Sequence, residues 1–129
     1  MKTKTNKNPN NRMRPAVKER WLEALKSGKY QQGTEYLSKN GEFCCLGVLC
    51  DLYREVRHRG RWDDGYMYNV FVPRKGARGA SKFLPPAVQK WSGINSTLGN
   101  ILGKGTSLGE INDNSDSFKP TIKAIEKYF

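Results

Sequence analysis

Apolar positions recur at helical spacing in several stretches of the chain. Between 15 and 27, Val17, Trp21, Ala24 and Leu25 share one face, and Lys18, Glu19, Glu23 and Lys26 turn away from it. Pro15 suits an opening turn and Gly28 the left-handed position after the last one, so a helix is predicted over Pro15–Ser27, with Trp21 as a core anchor. Leu46, Leu49, Leu52, Tyr53 and Val56 make a broader stripe that predicts a second helix over Cys45–Val56. It should be the most buried helix, with Asp51, Arg54 and Glu55 as its polar stripe. A short helix is predicted over Pro85–Ser92, with Trp91 packing inward and Gly93 ending it. Leu108–Asn112 forms a brief helical turn after Ser107. Ser117 caps a last helix in which Phe118, Ile122, Ile125 and Phe129 share a face, and Pro120 is tolerated in its first turn.

Strand signals are short. Tyr36–Ser38 and Glu42–Cys44 flank Asn40-Gly41, a strong hairpin signal because both turn residues tolerate positive φ. Tyr66–Val72 has the aromatic and β-branched content of a strand, and Pro73 closes it. The strands do not alternate regularly with helices, which argues against a doubly wound parallel sheet. The pattern predicts an α+β fold: one compact domain over 15–129, with a short antiparallel sheet or hairpins packed against three to four helices. Residues 1–14 carry almost no apolar side chains and are expected to form a basic flexible arm.

Composition narrows this picture. With 129 residues, 36% of them hydrophobic, the chain suits one domain with a modest core. The longest apolar candidate, Phe43–Cys50, falls far short of the roughly 18 residues a membrane span needs. The N-terminal residues hold no apolar segment of the secretory kind. A cytoplasmic protein with no membrane contact is expected.

Charge changes the picture more. Lys and Arg number 23 against 12 Asp and Glu, a net charge of +11. The excess sits in two places. Residues 1–20 hold seven basic residues and one acid, a net of +6, and residues 54–90 hold nine and three, again +6. Such an imbalance destabilises a compact chain by self-repulsion and favours association with polyanions.

Catalytic constellations are thin. Cys44, Cys45 and Cys50 lack zinc-ligand spacing, and the chain has a single His, His58. Three is an odd number for a disulfide framework, so the cysteines read as small buried apolar residues. A nucleophilic Cys45 would need His58, which lies past the other end of the same helix, roughly 18 Å or more away. The carboxylates Asp63-Asp64 and Glu110/Asp113 adjoin turn residues and read as structural. Leu98–Thr106 departs twice from a phosphate-binding loop: Leu98 stands where its first Gly belongs, and Gly105 follows Lys104 where Ser or Thr belongs. No metal, no cofactor and no enzymatic activity are expected.

The richest constellation lies between 57 and 82. Arg57, Arg59, Arg61, Arg74, Lys75, Arg78 and Lys82 alternate with Trp62, Tyr66, Tyr68 and Phe71. Arg forks match phosphate oxygens and aromatic faces stack on bases. Gly60, Gly76 and Gly79 would let backbone amides approach an anion. The expected site is therefore a ligand-binding one made by these cations with Trp62, Tyr66 and Tyr68, and its partner an anionic nucleotide-like small molecule or nucleic acid.

Two further stretches are distinctive. Trp21-Leu22-Glu23-Ala24-Leu25-Lys26-Ser27-Gly28-Lys29-Tyr30-Gln31-Gln32 is followed by Phe43-Cys44-Cys45-Leu46-Gly47-Val48-Leu49-Cys50-Asp51. With Leu84-Pro85-Pro86 and Leu108-Gly109-Glu110-Ile111-Asn112-Asp113, the chain over 15–129 resembles a widespread family of small uncharacterised bacteriophage proteins. The resemblance does not extend to residues 1–14 or the basic 57–82 segment. It implies a viral protein acting in the host cytoplasm. Small basic phage proteins without catalytic apparatus often serve counter-defence, some as sponges for cyclic or ADP-ribose-type immune nucleotides, and such binders are often homo-oligomers. The leading expectation is a non-enzymatic binding protein for a phosphorylated nucleotide-like ligand. The alternatives are a nucleic-acid-binding protein using the arm and the 57–82 patch, and a protein inhibitor of a host defence enzyme.

Overall fold

A computed structural model describes residues 13–129 as a mixed α+β domain. Helix α1 (Pro15–Lys26) leads into strands β1 (Gln31–Gln32), β2 (Ser38–Lys39) and β3 (Glu42–Phe43). Helix α2 (Cys45–Arg57) follows, then the hairpin β4 (Arg61–Asp64) and β5 (Asn69–Val72). Next come α3 (Pro86–Ser92), the small hairpin β6 (Asn100–Ile101) and β7 (Thr106–Ser107), α4 (Leu108–Asp113) and α5 (Lys119–Tyr128). The architecture matches the α+β reading, with one more helix and a more fragmented sheet.

Helix α2 is the centre of the molecule. Nine of its residues, from Cys45 to Tyr53, are buried, and it packs against α1, α3 and α4. Its amino end is fastened by its own cap residue and by two side chains from elsewhere in the chain. Asn112 accepts the Cys45 N–H at 3.2 Å, Cys44 Sγ accepts the Gly47 N–H, and the Trp21 indole N–H donates to the Cys45 carbonyl at 2.9 Å. Gly47 is required by contact: a Cβ there would stand 1.8 Å from the Leu37 carbonyl oxygen. All three cysteines are free and buried, as the apolar reading holds. Burial pushes the Cys44 thiol up to about 12, and the other two well above the usual thiol range.

Several expectations need correction. The Asn40-Gly41 hairpin forms with both residues at positive φ, but β3 also pairs in parallel with β1, so that sheet is mixed. The strand expected from Tyr66 begins at Asn69, because 65–68 make the turn of the β4–β5 hairpin, closed by the Gly65 N–H to the Tyr68 carbonyl. Asp51 is not part of an exposed polar stripe. It is 6% exposed and accepts hydrogen bonds from the Tyr30 hydroxyl (2.5 Å), the Arg54 Nε–H (2.9 Å) and the Trp62 indole (3.0 Å). Burial pushes its carboxyl up, but the three donors prevail and hold it below its usual value, Arg54 first among them. The arm does not reach residue 14: Met13 is buried and the Arg14 N–H donates to the Ser92 carbonyl at 2.9 Å. Residues 1–12 of the expected arm lie outside the described residues. Ser117 accepts the Lys119 N–H from one position before the cap of α5, which is Phe118.

Among the described residues, no helix is long and apolar enough to cross a membrane.

Candidate anion-binding site

The carboxyl end of α2 sets up the site. Arg57 is its last residue, His58 ends it in the left-handed conformation (φ 54), and Gly60 (φ 94) redirects the chain into β4. Gly60 cannot be replaced cheaply, because a Cβ would lie 2.8 Å from the buried Phe71 ring. This tight exit places Arg57 and Arg59 on the rim of one cleft. Arg74 joins them from the end of β5, where Pro73 stops the strand and the Ala77 N–H donates back to the Arg74 carbonyl at 3.0 Å.

The opposite wall comes from α3. Pro86, Ala87, Lys90 and Trp91 share one side of that short helix and line the same cleft. Arg14 enters beside them, held by its backbone bond to Ser92. Tyr53, buried, completes the lining: its ring meets Trp91 edge-on at 5.5 Å and Phe71 at 6.3 Å. The cleft has a volume of about 520 Å³, within the usual range for small-molecule sites.

Its electrostatics are one-sided. Arg14, Arg57, Arg59, Arg74 and Lys90 are all exposed, and no Asp or Glu lines the cleft. Among the described residues, none of the five makes a salt bridge. Residues 1–12 contain no acid in their sequence that could supply one. Of the two basic clusters of the sequence, the first contributes Arg14 and the second the other four.

Of the expected site residues, Arg57, Arg59 and Arg74 come together, and the others do not line the cleft. Arg61 pairs with Asp63 at 2.8 Å. The Trp62 ring packs against Phe43 and Phe71 while its N–H holds Asp51, so it braces the core. Tyr66 stands 94% exposed at the hairpin turn. Tyr68 stacks on Tyr36 at 4.6 Å, and Lys82 and Lys39 lie over the Tyr36 ring at 5.1 and 5.4 Å. Lys75 and Arg78 are exposed away from the cleft lining. Gly60 packs on Phe71 and Gly79 on Val70, so both serve close packing; Gly76 makes an open turn at φ 82.

The residues missed by sequence reasoning are Arg14, Tyr53, Lys90 and Trp91. A signal existed for two of them: Lys90 and Trp91 sit at i+4 and i+5 from Pro86, on one side of a helix that was itself predicted. Nothing local marked Arg14 or Tyr53, whose place depends on long-range packing.

Other candidate chemistry resolves into structure. Asp113 accepts the Glu35 N–H at 2.8 Å and Glu110 accepts from the Thr106 hydroxyl at 3.0 Å. Gly103-Lys104-Gly105 makes the β6–β7 turn, with Lys104 over the Tyr128 ring at 5.7 Å. Among the described residues, no group of three or more His, Cys, Asp or Glu could hold a metal ion.

Fold and cleft together define a small α+β protein with a cationic, aromatic-backed groove. A family model described as a domain of unknown function, DUF8296, matches residues 13–129, and the chain belongs to that family. The match begins at Met13, which is also the first described residue and is buried in the core. No curated protein and no solved structure matches the chain.

Proposed function

We propose that this protein binds a phosphorylated, nucleotide-like ligand in the cleft between the end of α2, the end of β5 and α3, and does so without catalysis. The observation that carries the reading is the cluster of Arg14, Arg57, Arg59, Arg74 and Lys90 around a half-buried Trp91, with no salt bridge and no carboxylate in the lining among the described residues. Guanidinium forks drawn from separate elements can grip phosphate oxygens in pairs, and the indole offers a face for a base. Holding like charges together is unfavourable in the empty protein, and a bound anion relieves it. The three thiols are buried, and Asp51 is hydrogen-bonded inside the core, so none of these lies open to a ligand in the cleft. In the phage setting that the sequence resemblance implies, capture without turnover would withdraw a host nucleotide signal.

Titration calorimetry of the wild type and an Arg57→Gln/Arg74→Gln variant against nucleotides and a single-stranded oligonucleotide tests this. The expected result is nucleotide binding with thermal stabilisation, weakened at least about tenfold in the variant. Preference for the oligonucleotide, with an affinity falling steeply as salt rises, would favour the nucleic-acid reading. That outcome has its own motive, since Arg14 connects the cleft to residues 1–12, which carry four Lys or Arg and no acid. Unchanged product-free nucleotide after long incubation is expected; hydrolysis would overturn the non-catalytic reading.

A further inference from the structure

The proportions of the cleft say more about its ligand than its sign does. Among the described residues, five cationic side chains line it, and one half-buried ring, Trp91, is placed to receive a base. Tyr53 is 4% exposed and packed T-shaped against Trp91 and Phe71, whereas Trp91 is only half-buried and is the more accessible ring of the lining. Beside Trp91, the α3 wall offers the small side chains of Pro86 and Ala87, which add no second aromatic ring. An oligonucleotide or a cyclic dinucleotide brings about one charge for each base. A nucleoside polyphosphate brings several charges for a single base. A cleft with five cations and one ring fits the second ratio.

The lining also bears on the form in which such a ligand arrives. Protein sites for magnesium-bound nucleotides usually include a carboxylate that shares the ion. Among the described residues of this cleft there is none, and every charged side chain in its lining is cationic. Magnesium and guanidinium groups would compete for the same phosphate oxygens.

We propose that the cleft selects a nucleoside polyphosphate, one base carrying a chain of phosphates, in its magnesium-free form. This rests on the reading that the cleft binds nucleotides, and it commits that reading to one ligand class.

The test uses the full chain and defined probes: adenosine mono-, di- and triphosphate, inorganic triphosphate, and cyclic di-adenosine monophosphate. On the wild type, affinity is expected to rise at each added phosphate, by about tenfold or more from mono- to triphosphate. It should fall about tenfold when excess magnesium replaces a chelator. The Trp91→Leu variant, which keeps apolar bulk for packing on Tyr53, should lose nucleotide affinity while retaining inorganic triphosphate. Cyclic di-adenosine monophosphate binding as tightly as the triphosphate would overturn the inference and leave nucleotide capture standing. Indifference to magnesium, or a flat phosphate ladder, would do the same. Failure of every probe to bind at low salt would take down both proposals. The ladder and the magnesium comparison use only the wild type, so they decide the matter even if the variant does not fold.

Discussion

Trp62 and Trp91 are both half-buried, yet their indoles do different work. Trp62 is fixed from two sides, its N–H on Asp51 and its ring among Phe43 and Phe71. Replacing it with Phe keeps most of the packing and removes a hydrogen bond to a charged acceptor, so Trp62→Phe should lose about 1.5–3 kcal/mol of stability in urea denaturation. Its affinity for anionic ligand should be unchanged, whereas Trp91→Leu should show the reverse pattern. Asp51 carries a second prediction at this scale. Its folded pKa is lowered, so its contribution is complete above the unfolded value near 3.9 and is lost as pH falls through the folded value. The Tyr30 phenol is raised, first by burial and then by Asp51, so its contribution is complete below about 10 and fades as pH climbs beyond. The three buried thiols are raised as well, and their unfolded value is about 8.5, so their contribution starts to fade before that of Tyr30. Unfolding free energy should therefore be level from about pH 5 to 7.5 and fall on either side. Asp51→Asn should be less stable at neutral pH and lose less on acidification; an identical acid limb in both proteins would contradict this account of the network.

At the scale of elements, α2 is held by contacts that tolerate little change. Gly47→Ala drives a methyl group into the Leu37 carbonyl and should destabilise by roughly 3 kcal/mol or more, read from the denaturation midpoint. Asn112→Ala removes the acceptor for the Cys45 N–H and the donor to the Gly33 carbonyl, at about 1–3 kcal/mol for each group left unpaired. The helices were legible because their apolar stripes and end signals agree: Pro15, Gly28 and Gly93 mark boundaries close to those observed. Strands of two residues leave no alternation to read, so β1, β6 and β7 were invisible in the sequence. β4 was masked for another reason, since Arg61-Trp62-Asp63-Asp64 alternates no apolar face and gains its register only by pairing with β5. Arg57, Arg59 and Arg74 could be read because charge clusters survive in a linear view, whereas Arg14 reaches the cleft only through its long-range contact with Ser92. The rings of the cleft could not, because burial decides which face outward: Trp62 and Phe71 turned in, and Trp91 lines the cleft.

For the whole molecule, the central fact is that Arg14 and four cations far from it in sequence, Arg57, Arg59, Arg74 and Lys90, share one groove. Their mutual repulsion is a standing destabilisation of the ligand-free protein. Arg59→Gln should therefore raise the melting temperature slightly in low salt, by a few tenths of a kcal/mol in stability, while weakening anion binding. Added salt should raise the wild type's melting temperature more than the variant's, a comparison that differential scanning calorimetry makes directly. The stacked Tyr36–Tyr68 pair with Lys39 and Lys82 forms a separate cationic and aromatic surface, so locating the ligand matters as much as detecting it. The decisive measurement is a heteronuclear NMR titration of the wild type with adenosine triphosphate in chelator. Changes are predicted at the Trp91 indole N–H and at the side chains of Arg14, Arg57, Arg59 and Arg74, with Tyr36, Tyr68 and Lys82 undisturbed. Shifts centred on those last three residues, or no shifts at saturating nucleotide, would contradict the account.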